Sequence, residues 1–313
     1  GVTPEDIGGI PLGCLGIPEF GTEFAMQMVI DAKPQEFSDL IRISGLSHGT
    51  DVWLGNAQEL LRTGQATIST AICTRDDIMI YLIQKGLDSE LAFTIMEKVR
   101  KGKGLTEENE QVMKEHGVPD WYIWSCKKIK YMFPKAHAAA YVMMAWRVAY
   151  CKVFYPLAYY CAYFSIRANA FDYEKMAMGQ DKLKYFINDY RKRRAESPTG
   201  KLSNTEEDEL KDMRIVEEMY ARGFDFTPID IYKAKARSFQ VIDGKIMPSF
   251  KVIDKVGEVA GESIEIAASN GKFLSKDDLR QRAKVGQTVI DKLTDIGLLN
   301  GMAQSNQLSL FDF

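Results

Sequence analysis

Apolar residues recur at helical spacing along most of the chain, and Gly- or Pro-rich stretches separate the periodic segments. Residues 56–118 contain several amphipathic segments, which are divided at Gly64, at Gly86 and at the turn 101–104. Thr106, followed three positions later by Asn109, is typical of a helix start. The pattern therefore predicts a mainly α-helical fold with little β structure.

An Ala-rich helix is predicted from Pro134 onward, because a proline lacks the N–H group that the first helical position leaves unpaired. Its N-terminus would direct free N–H groups toward Lys130, Lys135 and His137, as helices that bind phosphate do. A buried Ala-rich helix, with basic residues reaching solvent at its ends, is the alternative. One face of this helix would carry His137, Tyr141, Met144 and Val148.

Small residues cluster at 43–53, where Gly45 and Gly49 stand on either side of Ser47 and His48. A loop of small residues lets backbone N–H groups approach an anion closely. The stretch lacks the Gly-Lys-Ser/Thr ending of a P-loop. A simple turn between helices, with His48 as a structural histidine, is an equally good interpretation.

The last third of the chain contains an internal repeat, in which residues 254–258 recur at 283–287, displaced by 29 positions. Each copy precedes an apolar-periodic helix, which predicts two helix-hairpin-helix turns. Such a turn directs backbone N–H groups and a nearby lysine at one DNA phosphate. Both copies carry lysine where the usual motif has its first glycine, and ordinary helical turns remain the alternative. The candidate DNA contacts are Lys255, Gly257, Lys284 and Gly286.

Composition changes near residue 190, where a basic run from Arg191 to Arg194 precedes a Ser-, Pro- and Gly-containing stretch. We expect 191–205 to be an exposed linker, although a solvated helix end also explains the basic run. This divides the chain into a first domain at 1–190, a second at 206–303 and a tail at 304–313.

Residues 121–171 contain no Asp or Glu, although the whole chain has 43 acids and a net charge of −3. Residues 1–120 carry 19 acids and 10 bases. In 121–171, basic side chains alternate with aromatic ones, which suits a surface that meets phosphates and flat bases. The bases are Lys127, Lys128, Lys130, Lys135, Arg147, Lys152 and Arg167. This composition predicts nucleotide or nucleic-acid binding.

Several other classes are disfavoured. The five cysteines form no Cys-x-x-Cys pair, which argues against a disulfide framework or a zinc site and fits a reduced cytoplasm. Residues 142–166 are apolar, but Arg147, Lys152 and Pro156 interrupt them, so we interpret them as core helices. No Asp-x-Asp pair offers converging carboxylates for two-metal chemistry. The chain begins at Gly1 without a signal-peptide pattern, and we expect it to be part of a longer cytoplasmic polypeptide.

Five segments together carry a resemblance to a known family: 43–56, 131–147, 224–233, the hairpin repeat and the ending 307–311. In unbroken order they resemble the C-terminal part of the PolC branch of the C-family DNA polymerases, the DNA polymerase III alpha chains of low-GC Gram-positive bacteria. The resemblance covers essentially the whole chain. It implies a helical fingers domain at 1–190, followed by a tandem helix-hairpin-helix domain that binds duplex DNA.

The resemblance further implies template-directed transfer of a deoxynucleotide to a primer end, with magnesium held by palm aspartates upstream. No catalytic residue or metal ligand is then expected in this chain, which alone would be inactive. It would instead position the incoming deoxynucleoside triphosphate and the new base pair. The residues implied in this are Arg42, Ser47, His48, Gly49, Lys130, Tyr131, Phe133, Lys135, His137 and Arg147.

The tail places large apolar side chains after a polar stretch, and these would either fold back or be held for a partner. Its residues Gln307, Leu308, Ser309, Leu310 and Phe311 resemble the pentapeptide with which bacterial polymerases bind the sliding clamp. The implied partners are primer-template DNA, the incoming nucleotide, the clamp and other replisome proteins, with no membrane.

Two functions from other classes remain open at this point. A non-catalytic adaptor that binds DNA and the clamp would need no palm in the full-length protein. A helix-hairpin-helix DNA repair enzyme would need a catalytic Asp or Lys beside the second hairpin, where Asp291 and Lys292 are the candidates. Helical periodicity places at least one of these two on a solvated face.

Overall fold

Threonine and serine caps begin several of the helices that the periodic pattern predicts. The Oγ1 atom of Thr22 accepts a hydrogen bond from the N–H of Ala25 at 3.2 Å. The Oγ1 of Thr106 accepts from the N–H of Asn109 at 3.2 Å, which confirms the helix start predicted there. Each cap satisfies an N–H group that the first turn of a helix leaves unpaired.

The chain divides into two units, which a computed structural model describes over residues 1–306. The central unit is Cys14–Ala149. The terminal unit consists of Gly1–Gly13 and the described residues from Tyr150 onward. The predicted clamp-binding residues, Gln307 to Phe311, lie outside the described residues.

The central unit is entirely helical apart from its connections and one isolated backbone bridge. Its helices are α1 (Glu23–Ala32), α2 (Phe37–His48), α3 (Gln58–Arg62), α4 (Arg75–Gln84), α5 (Ser89–Arg100), α6 (Glu107–Glu115), α7 (Asp120–Lys128) and the greater part of α8 (Lys135–Phe154). A short π-helical turn, Trp53–Ala57, leads into α3.

The core of the central unit centres on α4 and α5, which a short connection joins and which pack on each other. Ile78 and Leu82 from α4 and Ile95 from α5 are completely buried. Helix α2 approaches the start of α4 at backbone contact distance, because a Cβ atom on Gly45 would lie 2.6 Å from the carbonyl oxygen of Cys73. The carboxyl end of α2 is thereby fixed beside the amino end of α4.

The terminal unit begins with a 3₁₀ turn at Pro4–Ile7 and is otherwise mainly helical. Its further elements are α9 (Pro156–Ile166), α10 (Tyr173–Met176), α11 (Gln180–Glu196), α12 (Asn204–Ala221), β1 (Gln240–Ile242), β2 (Lys245–Met247), α13 (Gly257–Ser269), α14 (Lys276–Ala283) and α15 (Gln287–Asp295). The two strands pair in antiparallel register across an Asp243-Gly244 turn in which both residues have positive φ. A mainly α fold with little β structure is confirmed.

An aromatic cluster forms the core of the terminal unit. The ring of Phe164, on α9, is completely buried and lies 5.1 Å from that of Phe171, 5.7 Å from that of Phe226 and 5.6 Å from that of Phe239. These tilted contacts suit aromatic quadrupoles better than parallel stacking does. The apolar residues of α9 therefore form a core helix, as predicted, whereas the part of α8 in the same prediction buries Val142 and Ala145 but exposes Met143 and Trp146. No helix of residues 1–306 is long and apolar enough to cross a membrane.

A buried polar network lies beside this core. The Nζ of Lys152 is 2.8 Å from Oε1 of Glu218, and their side chains are only 6% and 4% exposed. Tyr160 donates its hydroxyl to Glu218 at 2.6 Å, and Arg222 donates to the carbonyl oxygen of Lys152 at 2.9 Å. The pairing offsets the cost of burying both charges. Lys152 therefore does not belong to a solvent-facing basic surface, contrary to its place in the acid-free segment.

The expected linker at 191–205 is largely folded. Residue 190 lies inside α11, which continues to Glu196 and packs against α12. The basic run is paired with acids: Arg193 contacts Glu206, and Arg194 lies 3.5 Å from Glu207. Only the connection between the two helices, at 197–203, remains non-helical. The compact units divide at 149 and 150, not at 190.

Asp212, on α12, gives a prediction about stability and pH. Burial raises the pKa of this carboxyl to about 6 from an ordinary value of 3.8, although the N–H of Ala170 donates to it at 3.0 Å. A raised folded-state pKa means that the contribution of this group to stability is present below about pH 4 and lost as pH rises through about 6. Asp212→Asn keeps the acceptor but cannot ionise. We expect its gain in the free energy of unfolding over wild type to be larger at pH 8 than at pH 5, by about 1 kcal/mol.

Urea unfolding at the two pH values measures this difference. Asp181→Asn, an exposed carboxyl on α11, is the matched control and should give the same small change at both. A gain from Asp212→Asn that does not depend on pH would contradict the assignment.

Candidate functional site

The segment that links α7 to α8 is held beside the end of α2 by backbone hydrogen bonds. The N–H of Thr50 donates to the carbonyl of Tyr131 at 2.9 Å, and the N–H of Lys130 donates to the carbonyl of Thr50 at 3.0 Å. The N–H of Arg75 donates to the carbonyl of Phe133 at 3.2 Å. A Cβ atom on Gly49 would lie 2.9 Å from the carbonyl oxygen of Tyr131, so this close approach requires glycine there.

These bonds bring four of the predicted site residues, together with Tyr141, into one ring cluster on the central unit. The ring of His48 lies 5.4 Å from that of Phe133 and 6.0 Å from that of His137. The Phe133 and His137 rings are 5.0 Å apart, and the cluster extends through Tyr131, 5.2 Å from Phe133, and Tyr141, 4.5 Å from His137. Tyr131 and Tyr141 are exposed. The cluster is thus a partly open aromatic surface, which sequence spacing alone did not reveal.

The start of α8 differs from the expectation in one important way. The helix begins at Lys135, one residue later than predicted, and the carbonyl of Pro134 accepts from the N–H of Ala138. The N–H of Lys135 donates to Oδ2 of Asp76 at 2.6 Å, and its Nζ lies 3.9 Å from Oδ1 of Asp77. A carboxylate of the chain itself therefore caps the helix end that was expected to present N–H groups to phosphate.

Ser47 and His48 also differ from the expectation. They lie in the last turn of α2 rather than in a loop, and the Oγ of Ser47 donates to the carbonyl of Ser44 at 2.9 Å. A helix end of this polarity presents carbonyl oxygens, so its backbone does not suit an anion. The His48 side chain, which is 34% exposed, is accessible to a ligand.

Arg42 and Arg147 lie in different surroundings. Arg42, on α2, is 3.7 Å from Asp39. Burial raises the pKa of the Cys73 thiol well above its usual value, whereas the nearby Arg42 and Lys135 lower it. Arg42 is therefore near the start of α4 and α8. Arg147 follows Lys135 by twelve positions on α8, which places it about 18 Å further along the helix axis. The structure does not bring Arg147 together with the other predicted residues.

Acidic residues from other helices lie beside the segment 121–171, which contains no Asp or Glu of its own. Glu110 lies 2.8 Å from Lys127, and the α4 carboxylates stand at Lys135, as described above. Lys128 donates to the carbonyl of Gly55 at 2.8 Å and lies 4.1 Å from the Trp124 ring. The charge pattern along the sequence therefore predicted a more positive surface than the folded unit has, because α4 and α6 bring acidic side chains to it.

The two predicted hairpins share an unusual backbone feature on the terminal unit. Lys255 and Lys284 both adopt the left-handed conformation, with φ of 65° and 52°. This is the position where the usual motif has glycine, so the repeat extends to the backbone of the two lysines. The turns differ at the glycine that follows, where φ is 66° for Gly257 and −75° for Gly286. Both lysines and both glycines, Gly257 and Gly286, are exposed. Helices α13 and α15 begin directly after the turns.

The hairpins are not equivalent in charge. Asp254 and Glu258 flank the first turn, and Glu258 is paired with Arg237 at 2.5 Å. In the second turn Gln287 takes the place of Glu258, and it accepts from Arg280 at 2.9 Å. The second hairpin is therefore the more favourable surface for a phosphate.

Asp291 and Lys292 do not suit a catalytic role. Asp291 accepts from the side chain of Gln287 at 2.8 Å. Lys292 is ion-paired with Glu174, which raises the pKa of its amine, whereas an amine nucleophile needs a lowered pKa. Among residues 1–306 no three His, Cys, Asp or Glu side chains are grouped to hold a metal ion. The donors present do not fit a magnesium site.

Two acidic residues of the site were missed by sequence reasoning. Oε2 of Glu19 lies 2.5 Å from Nε2 of His48, and Asp76 caps α8. Neither residue is near its partner in sequence, and no local pattern marks the pairing. Only the packing of the Glu19 turn and of α4 against the site brings them there.

Comparison with known proteins places this geometry in context. Residues 12–118 match the model of the bacterial DNA polymerase III alpha subunit finger domain, and residues 223–308 match that of the helix-hairpin-helix motif. The chain is 51% identical over 311 residues to the DNA polymerase III PolC-type of Clostridium perfringens, covering 99% of the chain and 21% of that protein. It is 51% identical over 318 residues to that of Streptococcus sanguinis, with 100% and 22% covered.

The corresponding protein of Caldanaerobacter subterraneus is 48% identical over 311 residues, again covering 99% of the chain and 22% of the relative. The chain thus spans about a fifth of the length of these curated relatives. Sequence similarity to them extends through both units.

Proposed function

We propose, since this chain belongs to the PolC-type DNA polymerase III family, that it positions the incoming deoxynucleoside triphosphate and grips the duplex in a replicative DNA polymerase. The observation that carries the proposal is the coincidence of each family region with a cluster of suitable groups. The finger region, 12–118, contains His48, whose ring contacts that of Phe133 in the segment that follows this region, and the helix-hairpin-helix region contains both exposed lysine turns.

The whole protein would transfer a deoxynucleotide to a primer 3′ end and release pyrophosphate. Magnesium would be held by carboxylates outside this chain and would supply charge neutralisation at the phosphates when bound. This chain would contribute fixed cations and flat rings. We place the protein in the cytoplasm, with primer-template DNA, the sliding clamp and other replisome proteins as partners.

In the nucleotide site, Lys130 and Lys135 would act on the triphosphate, with Arg42 nearby. The side chain of Lys135 is 44% exposed, and its pairing with Asp77 is long, at 3.9 Å, so the ammonium group can be drawn to a phosphate. Fixed cations stabilise the negative charge that moves onto the leaving pyrophosphate. Tyr131 and Phe133 would lie against the base pair being formed, because they are joined to the same short segment.

Lys135→Ala tests this site in the full-length polymerase. We expect the nucleotide KM to rise or kcat to fall by at least tenfold, about 1.4 kcal/mol, because a cation beside the triphosphate is lost. Steady-state incorporation of a single nucleotide on a primer-template measures both constants. Lys114→Ala, an exposed lysine on α6, is the matched control and should leave them unchanged. Wild-type kinetics of Lys135→Ala would remove this residue from the site.

The hairpins would grip the duplex through phosphates, independently of sequence. The second hairpin should contribute more, because Asp254 and Glu258 repel phosphate at the first and have no counterparts at the second. A lysine in left-handed conformation can be replaced by glycine without a change of backbone. Charge and fold can therefore be tested separately.

We expect the double substitution Lys255→Glu and Lys284→Glu to weaken duplex binding equally for unrelated sequences. Lys284→Glu alone should reduce the slope of log K against log salt by about 1, and Lys255→Glu by less. Lys284→Gly should show a similar loss of slope with an unchanged or higher Tm. Lys201→Glu, on the exposed connection before α12, is the control. An unchanged slope in the double variant would show that the turns are structural only.

The tail would tether the polymerase to the sliding clamp, an assignment that rests on the resemblance of Gln307, Leu308, Ser309, Leu310 and Phe311 to the clamp-binding pentapeptide. We expect a peptide of residues 304–313 to bind the clamp with micromolar affinity, about −8 kcal/mol. Replacing Leu310 and Phe311 by Ala should abolish binding, whereas Ser309→Ala should retain it. Titration calorimetry measures all three peptides, and equal affinity of the double variant would contradict the assignment.

A further inference from the structure

Glu19 occupies a backbone position that suits glycine. It follows Pro18 in the turn that leads to α1, and its φ is 68°, in the left-handed region. A Cβ atom makes this conformation unfavourable, and glycine adopts it without penalty. The turn itself therefore does not explain why a glutamate stands here, and its side chain must be considered.

The carboxylate of Glu19 lies against the predicted nucleotide site. Its Oε2 is 2.5 Å from Nε2 of His48 and accepts from the Oγ of Ser44 at 3.3 Å. The Glu19 side chain is only 12% exposed, whereas that of His48 is 34% exposed. The carboxylate is thus screened behind the imidazole, and the imidazole is accessible from outside.

This contact fixes the orientation of the imidazole. A carboxylate can only accept, so the proton of the contact belongs to Nε2. The ring is held between this carboxylate and the Phe133 and His137 rings, which leaves Nδ1 as its second polar atom. Within residues 1–306, Nδ1 of His48 has no hydrogen-bond partner.

We propose that Glu19 is a positioning residue for the incoming nucleotide: it holds His48 through Nε2–H, so that the other ring nitrogen, protonated when a phosphate is bound, donates from Nδ1–H to the triphosphate. The inference rests on the proposed function of the site. Without the carboxylate the imidazole turns about its side-chain bonds, and nucleotide binding must then include the cost of ordering it. Glu19 thus makes this contact from a backbone conformation that is unfavourable for any residue other than glycine.

Glu19→Gly separates the two roles, because glycine suits the backbone and removes the carboxylate. The full-length polymerase is compared with the Glu19→Gly, His48→Ala and double variants for nucleotide KM, kcat, primer-template affinity and Tm. We expect Glu19→Gly to raise the nucleotide KM by about tenfold, with Tm unchanged or higher and primer-template affinity unchanged. The double variant should be no worse than His48→Ala, since Glu19 acts through His48.

Asp243→Gly is the matched control. Asp243 also has a positive φ, 51°, and lies exposed in the β1–β2 turn, so its replacement relieves the same backbone conformation away from the site. It should leave the nucleotide KM unchanged.

Four results would overturn the inference. A fall in Tm with Glu19→Gly, with no rise in nucleotide KM, would show that the contact is structural. Additive effects of Glu19→Gly and His48→Ala would show that Glu19 acts independently of His48. A normal nucleotide KM in Glu19→Gly, together with a raised KM in His48→Ala, would show that Glu19 has no part in nucleotide binding. A normal KM in His48→Ala would show that His48 does not belong to the proposed nucleotide site.

Discussion

The backbone pairing of Thr50 with Lys130 and Tyr131 is the interaction on which the candidate nucleotide site depends. It joins the end of α2 to the segment before α8, and glycine at position 49 permits the close approach. The aromatic cluster forms only because this pairing brings the His48 and Phe133 rings within 5.4 Å. Buried Asn56 strengthens the same region, since its Nδ2 donates to the backbone carbonyl of Ser125 on α7 and its Oδ1 accepts from the Ser125 hydroxyl.

Carboxylates decide how positive this site can be. Asp76 and Asp77, from α4, lie beside Lys135, and Glu19, from the turn before α1, lies beside His48. The sequence alone had predicted a basic and aromatic surface without these acidic neighbours. The proposed nucleotide site would benefit from this balance, because unpaired cations would hold a polyanion that has to be released. The affinity for a nucleotide can then come from oriented side chains rather than from a high net positive charge.

Charged groups are paired in a similar way in the terminal unit. Its buried Lys152 and Glu218 neutralise each other, and the basic run after residue 190 is paired with α12. The lysines of the two hairpins are exposed, and both adopt a conformation that lysine rarely takes.

Periodicity and turn residues determined much of this protein by themselves. The helical class, the start at Thr106, the core role of α9 and the hairpin repeat all follow from local patterns, because helix caps and apolar spacing act over a few residues. The polymerase resemblance likewise followed from the order of short segments. The tertiary structure alone decided which carboxylates meet the basic segment and that Ser47 and His48 end a helix. Contacts such as Glu19 with His48 join residues 29 positions apart, and no local pattern in a single chain records them.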